Sequence, residues 1–336
     1  MQMKNLNIYF WLFFISFITA CENEIPFNIK NNPPKLVINA LLNSDNDENY
    51  VVLSLTGRDS VPFVNEAVIG VYVNDGLKER ITERDKDRMR YVLKSKFKAG
   101  DKVKIEASTN DGKYHAWAED VVPYPIEIER IDTMTYVVGD SWDLYNRSRY
   151  MRFKVTFTDN SLEKNYYRLI IYRKDSVSGI SRYTDKDTMF ISEYTSSLKT
   201  NEDIVLNEGK IPIDDDNSLV SPVENDYCIF NDSYLNGTYT MIISARISSD
   251  YFNDWWGIKD EKISTTFKIR LISITEAEYY YLRALNLYYS ENYEEYLSQP
   301  ISFPSNVHGG VGIVGFEIGT TQNVCLPEYY PENDWY

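Results

Sequence analysis

From Lys35 onward the chain is broken into short apolar–polar alternating runs, each closed by turn residues, and this punctuation decides the class of fold available to it. "KLVINALL", "YVVLSLTG", "AVIGVYV", "RYVLKSKF", "DKVKIEAS" and "YHAWAEDVV" succeed one another up to residue 122. Their spacing is roughly the 8–12 residues expected of an all-β sandwich. Val103, Ile105 and Ala107 alternate with Lys102, Lys104 and Glu106, the period of a strand with one wet face. Asn74-Asp75-Gly76 and Asn110-Asp111-Gly112 mark turns, because Asn and Gly accept positive φ. Residues 35–122 are therefore expected to form a small immunoglobulin-like β-sandwich. "VVPYPIE", with Pro123 and Pro125, reads as the junction between this sandwich and a second domain.

That second domain is expected to be β-rich and to cover 126–336. "YMRFKVTFTD", "NYYRLIIYR", "TMFISEYT", "GTYTMIISARIS" and "KISTTFKIRLISI" are long strand-like runs, and "LNEGKIPIDDDNSLVSPVEND" between them is loop-like. The 28 tyrosines of the chain suit half-buried strand faces and wet surfaces. The period changes once. "TEAEYYYLRALNLYYSENYEEYL" has no Gly or Pro and opens with Thr275-x-x-Glu278, a capping-box pattern. Tyr281, Leu282, Leu285, Tyr288 and Tyr289 recur at helical spacing, so a Tyr-rich helix is expected over 275–298, ended by Pro300. The expected fold is mostly β with one substantial helix near the C-terminus.

The N-terminus reads as an address. After "MQMKNLN", the run from Ile8 to Ala20 is apolar over 13 residues. A bilayer-spanning helix needs about 20, whereas a signal-peptide core needs about this length. The run ends in Ile18-Thr19-Ala20-Cys21, which resembles a bacterial lipobox: a branched apolar residue, two small ones, then a cysteine whose thiolate is the nucleophile for lipidation. Residues 1–20 are thus expected to be a lipoprotein signal peptide and Cys21 the lipidated residue. Residues 21–34 are polar with three prolines, Pro26, Pro33 and Pro34, as suits a tether. One acyl chain anchors marginally, at roughly 0.8 kcal/mol per buried methylene, and two or three anchor stably. Removing the leader takes away one lysine and no acid, moving the net charge from −15 to −16. No basic patch stands out, which argues against nucleic acid and against a polybasic membrane surface. Cys228 and Cys325 remain. They can close one disulfide in an oxidising compartment or stay as buried thiols. Neither has a second cysteine at metal-ligand spacing, so no zinc site is expected.

"SNVHGGVGIVGF" at 305–316 holds a literal G-x-G-x-x-G in Gly310, Gly312 and Gly315. A dinucleotide fingerprint needs a preceding strand, a following helix and a βαβ unit. Pro300 and Pro304 precede this run, and only 21 residues lie beyond Gly315, so no cofactor is expected. Gly309, Gly310, Gly312 and Gly315 instead suit a tight turn feeding a terminal strand, "VGIVGFEIGTT", because glycine permits positive φ and close backbone approach. Asn306 is placed to tie that turn through an Asx-type bond.

Four stretches in order carry a resemblance: the lipobox cysteine, "PKLVINALLN" at 34–43, the helix with "YYYLRALNLY", and "SNVHGGVGIVGF". With them the chain resembles the Bacteroidetes lipoproteins classed as domain of unknown function 4249. Glu22 and Glu24 also resemble the surface-export signal of such lipoproteins. The resemblance implies an outer-membrane lipoprotein with an N-terminal immunoglobulin-like portion, whose genes commonly lie beside TonB-dependent transporters. It implies no catalytic residues.

Enzyme motifs are sparse. His115 and His308 are the two histidines, and neither G-x-S-x-G nor H-E-x-x-H accompanies them. His115 is expected on a strand face and His308 within the glycine turn. The acidic runs "DNDE" at 45–48 and "DDDNS" at 214–218 do not match a calcium loop. The best surface candidate is "YFNDWWGIKD", where Tyr251, Phe252, Trp255 and Trp256 cluster in an expected loop; exposed aromatics of this kind recognise sugars, peptides or proteins, and the alternative is a hydrophobic plug. The expected function is a non-enzymatic accessory lipoprotein of the outer membrane, anchored through its lipid, binding a nutrient or a TonB-dependent transporter. The competing readings are an adhesive or structural surface protein and, with cryptic carboxylates, a surface hydrolase.

Overall fold

Residues 33–57, 61–138, 148–160, 163–208, 223–249, 258–290 and 301–326 are described in the computed structural model of the chain. In the first part the alternating runs become β1 (Leu36–Asn43), β2 (Asn49–Leu55), β3 (Ala67–Val73), β4 (Gly76–Ile81), β5 (Tyr91–Leu93), β6 (Lys102–Thr109) and β7 (His115–Val121). β3 alternates strictly, with Ala67, Ile69, Val71 and Val73 inward. Asn74 and Asp75 turn it into β4 at φ 50° and 64°, the positive-φ pair that a tight hairpin demands.

After Pro123 and Pro125 come β8 (Ile128–Val138), β9 (Ser148–Thr158), β10 (Tyr166–Ser181), β11 (Asp187–Thr195), β12 (Leu198–Lys199), β13 (Ile229–Asn231), β14 (Thr238–Ser249) and β15 (Ile258–Ile274). A helix, α1 (Glu276–Tyr288), and a last long strand, β16 (Val311–Cys325), complete the order. α1 is shorter than the expected 275–298 within the described residues, and residues 291–300 lie outside them.

Among the described residues three sheets organise these strands. The largest runs β11-β10-β15-β16-β1-β2-β5, with β13 also paired to β10. Two four-stranded sheets, β4-β3-β6-β7 and β12-β14-β9-β8, complete the set. β16 joins the two halves of the large sheet. Its first half pairs in parallel with β1, from Val37↔Val311 to Asn43↔Glu317. Its second half pairs antiparallel with β15, from Ile274↔Glu317 to Thr266↔Cys325. Glu317 belongs to both ladders.

Two cores result. The first gathers residues between Leu36 and Val122 together with Val307, Val314 and Phe316 from the end of the chain. The second runs from Ile126 through β8, β9, β10, β14 and β15. The proline junction separates Val122 in one from Ile126 in the other. Both cores lie on one face of the large sheet, because side chains two apart on a strand share a face. Val314 and Phe316 enter the first core, while Thr320 and Gln322, in step with them, bond the Ile126 and Ile128 carbonyls at 2.7 and 2.6 Å. α1 covers the opposite face through Tyr279 and Leu282, against Tyr166, Ile229, Ile272 and Ile274.

Candidate functional site

The glycine run divides between turn and strand. Gly309, at φ 74°, turns the chain beside β7, where His308 bridges Trp117 by two backbone bonds of 2.7 and 3.0 Å. The His308 ring stacks on Trp117 at 4.3 Å. Gly312 and Gly315 are not turn residues; they lie within β16. Gly312 sits at φ 119°, and a Cβ there would run into the Ile38 carbonyl oxygen. Gly310 meets the Leu36 carbonyl in the same way. The glycines therefore let β16 close onto β1. Asn306 does not make an Asx turn. Its amide brackets Val314 eight residues on, donating to the carbonyl at 2.7 Å and accepting from the N–H at 3.0 Å. A side chain thus supplies the pairing that a neighbouring strand would otherwise give.

Across the sheet from the first core, Gly315 makes room for an ionisable group. A Cβ at this position would stand 2.9 Å from Glu278 Cβ and 3.0 Å from its Oε2. Glu278, on α1, is fully buried, and neither carboxyl oxygen has a hydrogen-bond partner among the described residues. Glu317 projects from the strand below, 14% exposed, with Arg270 Nη1 3.6 Å away. Arg270 is also held by Asp45 at 2.5 Å and Asn43 at 3.0 Å, and Asp45 accepts the Gly319 N–H at 3.1 Å. Arg168 on β10 completes the group; its Nε is buried without a partner among the described residues. Loss of solvent, with the Glu317 carboxylate adding to it and Arg168 opposing, raises Glu278 to about 8. Burial raises Glu317 too, against Arg270 and Arg168. A carboxyl enclosed this way favours its protonated form. It can hold a proton, but it is closed to substrate beneath α1.

Beside this cluster, Glu208, Asn231, Tyr234, Tyr279 and Arg283 line a cleft of about 170 Å³. Arg283 and Glu208 pair across it at 2.9 Å. Small-molecule sites span roughly 300–1,000 Å³, so this cleft suits only a few heavy atoms. Among the described residues, no three His, Cys, Asp or Glu are placed to hold a metal ion.

Residues 22–321 match the family described as "Domain of unknown function (DUF4249)". The chain belongs to that family. No curated protein matches it. Among solved structures, one reported for carbohydrate-binding modules of the β-sandwich superfamily is similar over 71% of this chain and 97% of its own, at 11% identity and TM-score 0.18. A candidate membrane-anchored protein from Corynebacterium diphtheriae is similar over 84% of this chain and 58% of its own, at 12% identity and TM-score 0.20. At those scores neither likeness informs a site or a ligand.

In this DUF4249 chain Cys21, Tyr251, Phe252, Trp255 and Trp256 lie outside the described residues, as does the acidic run at 214–218. Cys228 and Cys325 are both free: the first is buried and the second exposed. They therefore form neither a disulfide nor a pair of buried thiols. Burial pushes the Cys228 thiol up to about 12. His115 Nε2 lies 2.7 Å from Glu106 on a strand face. Asp45 and Asp47 of the first acidic run are taken up by Arg270 and by Lys96 at 2.6 Å. The capping box does not form. Thr275 is the N-cap residue but makes no side-chain cap; its hydroxyl instead accepts the Phe316 N–H at 3.3 Å, and Glu278 is turned under the helix. Sequence reasoning read Glu278 only as a capping residue and did not single out Glu317, Arg168 or Arg270. One signal was available: Glu278 precedes Leu282 by four residues, which places a carboxylate on the apolar stripe.

Proposed function

We propose that this protein is a non-enzymatic lipoprotein of the outer membrane, anchored by lipid on Cys21. It works there as an accessory or ligand-binding component of a TonB-dependent transporter in nutrient uptake. The observation that carries the reading is the sequence order: a 13-residue apolar core, Ile18-Thr19-Ala20-Cys21, a polar stretch with three prolines, then a compact unit beginning at Lys35. Family membership supports it, because the family's genes commonly neighbour such transporters. Tyr251, Phe252, Trp255 and Trp256 are the proposed recognition surface. Purification from detergent-solubilised outer membranes tests the reading. A transporter recovered in stoichiometric amount, and lost when both tryptophans become alanine in a folded protein, is the expected result. Recovery as high-order polymers, or as a species with no transporter, contradicts it.

A further inference from the structure

The Glu278–Glu317 pair stands where the large sheet is joined. Glu317 pairs with Asn43 on β1 and with Ile274 on β15, so it sits at the node between the halves that carry the two cores. α1 closes over this node, and Glu278 is the side chain it presses against Gly315. A fully buried carboxyl with no hydrogen bond is costly when ionised, since nothing replaces its water. The charged groups facing it do not remove that cost. Glu317 on β16 opposes ionisation and Arg168 on β10 favours it. Arg168 also faces the Cys228 thiol and lies 5.6 Å from the centre of the Tyr227 ring, and Arg270 on β15 is taken up by Asp45 and Glu317. At the helix N-terminus, Glu276 is held by the Tyr166 hydroxyl and, at 3.5 Å, by Lys164. Asp120, from the end of β7, faces the Thr275 hydroxyl. β13 presents Asn231, which donates to the Tyr279 hydroxyl at 3.2 Å.

We infer that α1 is a proton-operated clasp on the joint of the large sheet: it docks with Glu278 protonated against Glu317, and loss of that proton loosens it.

The linkage has a definite sign. Glu278 in an undocked helix has the ordinary value of about 4.5 and in the docked helix about 8. The proton therefore favours docking fully below the lower value, and that contribution is lost as pH rises to the upper one. Within the window the docking equilibrium falls by at most about tenfold per pH unit, one proton being released.

Hydrogen exchange of the α1 amides in the full-length chain, corrected for intrinsic rates, reads this directly. Between pH 6 and pH 8 most other carboxylates no longer titrate, and the opening equilibrium of 276–288 should rise by about 50-fold. Glu278→Gln keeps the shape without the charge, and its α1 amides should show no such rise. Glu317→Gln should move the wild-type rise to lower pH. A Glu278→Gln protein with the wild-type pH slope overturns the inference, as does a wild type without one. A Glu278→Gln protein whose helix is loose at every pH, or that fails to fold at pH 6, also overturns it, because Glu278 would then act as an ionised partner of Arg168.

Discussion

Gly312 and Asn306 are the residues on which the closure of β16 depends, and each makes a separate prediction. Gly312→Ala places a Cβ against the Ile38 carbonyl at φ 119°. Strain of that kind costs of order 1–3 kcal/mol, so urea unfolding should show a loss of about 2–3 kcal/mol. Asn306→Ala leaves the N–H and C=O of the buried Val314 without their amide partner. Unsatisfied groups of this type cost about 1–3 kcal/mol, and Asn306→Asp should not restore the loss, since a carboxylate cannot donate to the carbonyl. The thiols give a third test. Cys325 is exposed and Cys228 buried, so a disulfide-exchange reagent should label Cys325 in the native state and Cys228 only on unfolding; fast labelling of both would contradict the described packing. The glycine run was legible as a structural device, because Phe316, Ile318, Thr320 and Thr321 directly after it, with Gly319 among them, suit a strand and not the opening of a helix. Asn306 was legible as a tie but not in its reach. An Asx turn is a local inference, whereas the bond to Val314 depends on a strand position that only the folded sheet fixes. Glu278 was misread for a similar reason. The capping-box spacing is a local signal, and here tertiary packing claims both of its side chains.

At the scale of elements, the alternating runs between Lys35 and Val122 were legible nearly strand by strand. Each has one wet and one dry face, and periodicity reports that difference. The parallel pairing of β1 with β16 was not, because it links the two ends of the folded unit and no local pattern encodes a partner so far along the chain. That pairing carries a prediction. Phe316 is fully buried and packs edge-on against Phe97, with ring centroids 5.6 Å apart. Truncating such a ring costs about 3–5 kcal/mol. Because β16 belongs to both ladders, Phe316→Ala should lower hydrogen-exchange protection in β15 as well as in β1. Protection lost in β1 alone would mean that the two halves of the sheet open independently.

For the whole molecule, the mostly-β fold with a single long helix was legible in the sequence and is what the described residues form. Val122 and Ile126 enter different cores, and β16 pairs with strands of both halves of the large sheet. The proposed role rests instead on a covalent event at the N-terminus and on the aromatic segment at 251–256, neither of which lies in the described part of the chain. No described helix is long and apolar enough to cross a membrane, a fact that leaves strands and lipid anchors untouched. The account turns on what is attached to Cys21. Mass spectrometry of the N-terminal peptide from envelope-purified protein measures it: cleavage after Ala20 with diacylglycerol on the Cys21 sulfur and an acylated amine is the predicted result, and an intact leader or a bare thiol at Cys21 would contradict it.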